Sequence, residues 1–342
     1  MKNIFILPEY WNSNFIGACG WIRLLNPFLN PNISGHFNVE YGYSLETAKN
    51  NPDVVIFERL WHPNDTNIYE YHKLLISLKK KGVKIVYSID DNLIDFQIFQ
   101  KNDWFSSNHL SVVNLFMHYA DVVVVSTPSL KERLSAINNR INVILNAVDP
   151  KNIKENIANR NNDKIKFGFL ASPDNEAYLF SILEPLKAIL HRYKNHVLFE
   201  IIGHNSPYLS PALFKSLPVK LVVPPDASYK KYTNWLRDNC NWDFGIAPII
   251  KNNFTKCKSD MKFLDFTQLG IPGVYTDYTP YDIVGETKSG LLVQGDWIEK
   301  LSLMIENHEK RTELLDSAID YVSNFRNTTI QISEWKQLID KL

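Results

Sequence analysis

Short apolar runs closed by turn residues recur down the chain, separated by stretches with helical spacing. In the first half the runs are Ile4–Leu7, Phe37–Tyr41, Val54–Phe57, Lys84–Ile89, Asp121–Val125 and Asn142–Leu145. In the second half they are Ile165–Leu170, Phe199–Gly203, Leu221–Val223, Phe244–Pro248, Gly273–Thr276 and Leu291–Val293. Runs that stay apolar instead of alternating suit strands buried on both faces. The segments between them, such as Tyr69–Lys81, Leu130–Ile137, Glu176–Lys194 and Lys300–Ser323, predict crossover helices. The pattern is that of an α/β protein with two doubly wound, Rossmann-like parallel sheets.

The seam falls in the polar, weakly periodic stretch between Asp149 and Lys164. The expected division is a first domain over 1–150, a linker over 151–163, a second domain over 164–324, and a helix over 325–342 packing back on the first domain. Two such sheets in series leave a cleft at the carboxyl ends of their strands, where ligands of open parallel sheets bind. A chain of 342 residues is long enough for two cores.

Composition narrows the function classes. Lys+Arg and Asp+Glu both number 37, so no net field draws in nucleic acid, and membrane contact is expected to be peripheral at most. The cysteines Cys19, Cys240 and Cys257 are odd in number and scattered, with neither zinc spacing nor a disulfide framework. The apolar run at the start is cut by Pro8 and Glu9, too short for a signal-peptide core. The expectation is a cytoplasmic protein, with the inner face of the membrane as its furthest reach.

Chemistry concentrates in loops that follow strands. After the run ending at Pro248, the segment Lys256-Cys257-Lys258-Ser259-Asp260-Met261-Lys262-Phe263-Leu264-Asp265-Phe266 opens a helix that Ser259 or Asp260 can cap and Gly270 with Pro272 can end. Lys258, Lys262 and Asp265 share one helical face by spacing. Free amides at a helix start with lysines nearby suit a diphosphate. The same spacing also describes an ordinary surface helix with a Lys262–Asp265 ion pair, and spacing alone leaves both open. In the first half, Gly17-Ala18-Cys19-Gly20-Trp21-Ile22-Arg23 follows the first strand, Glu58-Arg59 the third and Asp90-Asp91-Asn92 the fourth. The acidic pair Asp90-Asp91 has a second reading as a ligand for a hard cation.

Asp243-Phe-Gly-Ile-Ala-Pro248, then Cys257-Lys-Ser-Asp-Met-Lys-Phe-Leu-Asp-Phe266, Leu269-Gly-Ile-Pro-Gly-Val-Tyr275 and Ser289-Gly-Leu-Leu-Val293 together resemble the donor-binding half of retaining GT-B glycosyltransferases, a group with many bacterial cell-surface sugar transferases. Ala120-Asp-Val-Val-Val-Val-Ser-Thr-Pro-Ser-Leu130 and Val143-Ile-Leu-Asn-Ala-Val-Asp149 resemble the end of that family's first domain, so the likeness runs in order along most of the chain. It implies a nucleoside-diphosphate sugar as co-substrate, with no further cofactor or metal, and a hydroxyl of a glycan, lipid-linked or protein acceptor. The family's ribose-contacting acid falls on Asp265. Its sugar-contacting acid is replaced by Cys257. The family's basic residues are missing from the loop Ala171–Glu176, which leaves Lys256, Lys258 and Lys262, with Ser259 and Asp260 at the helix start, to hold the phosphates.

The other donor contacts so implied are Gly17 and Gly20 in the first glycine loop, Ser172 capping a helix whose first position is Pro173, Gly203, and Pro224 near the base. Arg23 adds a positive charge. Asp90 and Asp91 stand on the acceptor side, either one a base in an inverting reaction. Neither His62 nor His109 takes a catalytic role. Two rival functions fit the same fold: a nucleotide-sugar epimerase, and a catalytically silent subunit supporting a partner transferase.

Overall fold

The computed structural model describes residues 1–12, 15–96, 105–154, 163–172, 175–203, 209 and 211–342. The chain divides into two compact units: Met1–Ala147 with Lys256–Ser259 and Thr328–Leu342, and Val148–Thr255 with Asp260–Asn327. Most of the expected linker, positions 155–162, lies outside the described residues, as does Pro173.

In the first unit, β1 (Asn3–Leu7) is followed by a small antiparallel hairpin, β2 (Tyr10–Asn12) and β3 (Phe15–Ile16). Then come β4 (Asn38–Tyr41), β5 (Val54–Glu58), β6 (Lys84–Ile89), β7 (Val122–Val125) and β8 (Ile141–Val143). The six-stranded sheet is parallel throughout, in the order β4-β1-β5-β6-β7-β8. Growth of the sheet reverses at β1, so the loops leaving β1 and β5 part in opposite directions and open a crevice at their carboxyl ends. Side chains alternate between two buried faces. Ile4, Ile6, Val54, Ile56 and Val124 meet Leu24, Leu25 and Phe28 together with Ile332, Trp335 and Ile339 of the C-terminal helix Thr328–Asp340. Phe28 meets Trp335 edge to face, centroids 5.0 Å apart. On the opposite face, Phe57 and Tyr87 pack on Phe116 of the helix Ser107–Tyr119 at 4.8 and 5.3 Å.

The second unit repeats the plan with β9 (Ile165–Leu170), β10 (Val197–Ile202), β11 (Val219–Val222), β12 (Phe244–Ala247), β13 (Gly273–Thr276) and β14 (Leu291–Val293). The order is β11-β10-β9-β12-β13-β14, all parallel, and here the reversal lies between β9 and β12. The helix Met261–Gln268 lies close on this sheet because β12 carries Gly245, where an added Cβ would stand 2.5 Å from the Phe266 ring. That contact fixes the C-terminal half of the helix against the amino-terminal half of β12.

Each of the twelve predicted runs is a strand, within two residues at either end. Two predicted helices are each broken in two. Glu176–Lys194 is a helix Glu176–Phe180 and a second, Leu183–Arg192, because Pro185 cannot donate to the preceding turn. Lys300–Ser323 is Trp297–Glu306 and His308–Phe325, restarted at Asn307, whose side chain accepts the Lys310 amide at 2.8 Å. Among the described residues no helix is long and apolar enough to cross a membrane.

Candidate functional site

The crevice of the first sheet holds a knot of charge. Glu9 follows β1, Glu58 ends β5 with Arg59 just beyond it, and Asp90 and Asp91 follow β6. Arg59 adopts φ 47°, a left-handed conformation disfavoured for a residue with a side chain. Its guanidinium donates to Glu9 Oε1 at 3.3 Å, Asp90 Oδ1 at 2.9 Å and Asp91 Oδ2 at 3.0 Å. Lys258 Nζ reaches the other Asp91 oxygen at 3.3 Å. Burial pushes the Asp91 carboxyl up, yet Lys258 and Arg59 together outweigh it and hold it below the usual carboxylate range. Asp91 is also the reachable carboxylate, its side chain 21% exposed against 10% for Asp90.

Glu58 behaves in the opposite way. It is fully buried, accepts the Glu9 amide at 2.8 Å through Oε2, and among the described residues has no hydrogen-bond partner for Oε1. Burial, reinforced by the nearby Glu9 charge, pushes its pKa up to about 8. At neutral pH it is mostly the uncharged acid. Burial also raises Glu9, with Arg59 opposing.

Gly20 touches this knot, since a Cβ there would stand 2.7 Å from Glu58 Oε2. Its smallness serves the packing of that carboxyl. Gly17 is half-buried, in ordinary contact distance of Trp11. Arg23 sits in a π-helical turn, Trp21–Leu25, and is 1% exposed. It donates to Ser88 Oγ at 3.3 Å, Ile144 O at 3.2 Å and Asn146 Oδ1 at 3.0 Å. The Asn146 amide in turn donates to Ser259 Oγ at 3.1 Å. Arg23 therefore braces the ends of β6 and β8 from inside and holds Ser259 through Asn146.

The residues Lys256–Ser259 belong to the first unit, and this changes the expected lysine face. The helix begins at Met261, so Lys258 lies ahead of it and points to Asp91 instead of sharing a helical face with Lys262 and Asp265. Lys256 is exposed at the end of a short turn. Cys257 is buried, its Sγ 3.7 Å from Ser129 O and its carbonyl accepting from Thr127 Oγ1 at 2.9 Å. Its thiol is thus committed to the first unit's helix Pro128–Leu134.

In the second unit, Asp260 takes the N-cap position but its side chain does not cap. It forms a buried two-pronged bond with Arg326 at 2.6 and 2.7 Å. The amides of Met261 and Lys262 carry no acceptor among the described residues. Lys262 Nζ lies 3.4 Å from Asp265 Oδ2. Burial raises the Asp265 carboxyl, with Lys262 opposing. Gly270, at φ 66°, ends the helix, and the Ile271 amide reaches back to Phe266 O at 2.9 Å.

Ser172 follows β9 but does not cap a helix. Asn175 stands at that position, and its side chain accepts the Ser172 amide at 2.7 Å. Gly203, after β10, leaves no room for a side chain, since a Cβ would stand 2.6 Å from Ala171 O. Pro224 is half-buried beyond the edge strand β11. The structure thus gathers Asp90, Asp91, Lys258, Gly20 and, through Asn146, Arg23 and Ser259 in the first unit. It places Asp260, Lys262, Asp265, Ser172, Gly203 and Pro224 in the second.

Glu9, Arg326 and the central place of Arg59 were not singled out from sequence. The available signal for Glu9 was its place just beyond the first strand of a sheet that reverses there. His109 is structural, its Nε2 bonded to Pro63 O at 2.7 Å.

No family model and no curated protein sequence matches this chain. Solved structures do, and the two six-stranded parallel sheets with flanking helices are those of the GT-B fold of glycosyltransferases. The chain is similar to the α-glucosyltransferase AGT in complex with UDP, at 10% identity, with 99% of each chain covered and a TM-score of 0.70. It is similar to WaaG, a glycosyltransferase involved in lipopolysaccharide biosynthesis, at 11% identity over 97% of this chain and 98% of that one, TM-score 0.62. TarM matches at 14% identity and TM-score 0.61 over 83% of this chain, which spans only 54% of TarM. At such identities the likeness establishes the fold.

Proposed function

We propose that the chain is a glycosyltransferase that moves a sugar from a nucleoside-diphosphate donor to an acceptor hydroxyl. One observation carries the reading. At the reversal point of the second sheet, the segment leaving β12 supplies a helix start with open amides, Lys262 beside it and Asp265 one turn on. Amides at a helix start and a lysine stabilise charge growing on a departing diphosphate. Asp265 accepts hydrogen bonds from ribose once Lys262 turns to phosphate. The UDP bound by AGT, on the same fold, supports a ligand of this class.

On the first unit, Asp91 orients the acceptor hydroxyl. A carboxylate held low by two cations is a weak proton acceptor, because a general base works best with a pKa near the working pH. That favours retention: the acceptor oxygen bonds to the anomeric carbon as the carbon–phosphate oxygen bond breaks, and the leaving diphosphate takes the hydroxyl proton. The three cysteines, free of disulfides, fit a cytosolic setting.

The test is thermal stabilisation and turnover by the purified chain with a panel of nucleoside diphosphates and their sugars. A ligand at 100 times its Kd adds about 2.7 kcal/mol, and Lys262→Ala is expected to weaken binding about tenfold. Turnover by the isolated chain separates an active transferase from a silent subunit. Absence of stabilisation across the panel sinks the reading.

A further inference from the structure

Three loops leave the carboxyl ends of the neighbouring strands β4, β1 and β5, and polar bonds stitch them together. The Tyr10 amide donates to Trp61 O at 2.7 Å. Trp61 Nε1 donates to Tyr43 O at 3.0 Å, and His62 Nε2 bonds the same carbonyl at 2.9 Å. The Asn64 side-chain amide donates to the Trp11 carbonyl. Trp61 sits at φ 59°, a second left-handed residue two positions after Arg59. A bulky residue keeps that conformation only where its surroundings over-determine it.

The rings themselves form a stack. Tyr43 lies on His62 with centroids 4.0 Å apart and planes 16° apart. Tyr10 and Tyr43 meet in a T-shaped contact, centroids 5.2 Å apart, and Trp61 lies against His62 at 4.3 Å. Burial keeps the His62 pKa below its ordinary value, so the ring beneath Tyr43 is neutral at neutral pH. Despite these supports, Tyr43 is 38% exposed, and its neighbour Tyr41 on the edge strand is 41% exposed. His62 stacks on Tyr43 and Tyr10 packs against it at a steep angle, and the part of Tyr43 that these two leave uncovered meets solvent.

A partly exposed aromatic ring held by a stacked partner is a stacking surface. The chemistry beside it says what stacks. Glu9 immediately precedes Tyr10 and Arg59 lies two residues before Trp61, so the platform is continuous with the carboxylate knot. The two cations of that knot, Arg59 and Lys258, both engage Asp91, so an anionic ligand would have to compete with that carboxylate for them. A pyranose presents C–H bonds on a face and hydroxyls at its rim, which suits an aromatic face beside carboxylate acceptors. We infer that Tyr43, backed by His62, Tyr10 and Trp61, is the stacking platform for an uncharged sugar ring of the acceptor. Calling that ring the acceptor rests on the transferase reading above; the saccharide subsite does not.

The experiment is saturation-transfer-difference NMR on the intact chain, with methyl glycosides of glucose, galactose, mannose and N-acetylglucosamine and their β-linked disaccharides as probes. At least one is expected to bind, with saturation strongest on C–H protons of one ring face. Tyr43→Ala should weaken it about tenfold, and Tyr43→Phe, which keeps the ring, by less than about threefold. Tyr69→Ala, removing a 72% exposed ring on the helix Ile68–Lys80, should change nothing. Binding that survives Tyr43→Ala, or no binding of any probe, overturns the platform. Nucleotide binding measured on the same samples keeps the two readings apart. Nucleotides bound without saccharides leave the transferase standing and remove the platform. Saccharides bound through Tyr43 with no nucleotide do the reverse.

Discussion

Removing the Arg59 side chain tests whether the charge knot is held as described. Arg59→Ala leaves Glu9, Asp90 and Asp91 around a lost cation, all buried or nearly so. Breaking a buried ion pair from one side costs about 3–5 kcal/mol, because the remaining charge is stranded. The alanine still has to adopt the left-handed conformation at φ 47°, so no strain is relieved, whereas Arg59→Gly should recover about 1 kcal/mol. The deficit should depend on pH. In the natural protein Asp91 titrates below its unfolded value, so its contribution is present at neutral pH and lost as pH falls through the folded pKa. In the variant, Glu9, already raised by burial, loses the cation that opposes the rise, and Asp91 keeps Lys258 alone, so both folded pKa values move up and stability falls more steeply as pH rises. The two proteins should therefore lie close together near pH 5 and far apart near pH 8. Urea denaturation followed by tryptophan fluorescence at both pH values measures the gap. A deficit under about 1 kcal/mol, or one that is the same at both pH values, refutes the reasoning.

Glu58→Gln isolates the other titrating group. With a folded pKa of about 8, Glu58 contributes stability that is full below its unfolded pKa and lost as pH rises through 8. Urea midpoints from pH 5 to 9 should show the glutamine variant escaping about 3–5 kcal/mol of that loss. Lys258→Met should raise the Asp91 pKa, moving the acid limb of a pH–rate profile upward by about one unit, and an unmoved limb would disconnect Asp91 from turnover. Trp335→Ala should destabilise the first unit by about 3–5 kcal/mol, read as a lowered thermal midpoint, since Trp335 is fully buried against Phe28.

The architecture was legible because parallel strands buried on both faces, such as Val122–Val125, leave uninterrupted apolar runs that little else produces. Helix limits were less so. Pro185 and Asn307 each split a stretch whose apolar spacing runs on without a break. The lysine face failed for the same reason: spacing supposes a helix already running at Lys258, but the first helical residue is Met261. Glu9 and Arg326 were invisible because their partners, Arg59 and Asp260, lie 50 and 66 positions away, and only the folded sheets bring them together. Arg59 itself is an ordinary strand-end residue in sequence. Its role comes from a left-handed backbone angle that local pattern does not report.

The pair Asp260–Arg326 also resolves a tension in the proposed donor site. A free carboxylate at the N-cap would repel the diphosphate that the helix start is proposed to receive, by competing for its amides and adding like charge. Arg326 takes both Asp260 oxygens at 2.6 and 2.7 Å, so that carboxylate is turned from the amides and its charge is answered inside the second unit. What remains at the helix start is the open amides and Lys262, whose own partner, Asp265, holds it through a single long contact of 3.4 Å with both side chains about 30% exposed. A half-buried pair joined by one contact of that length is weakly held, so a diphosphate can draw the lysine away. The buried two-pronged pair is fixed and the half-buried single contact is loose, the distribution an anion site at this helix start requires.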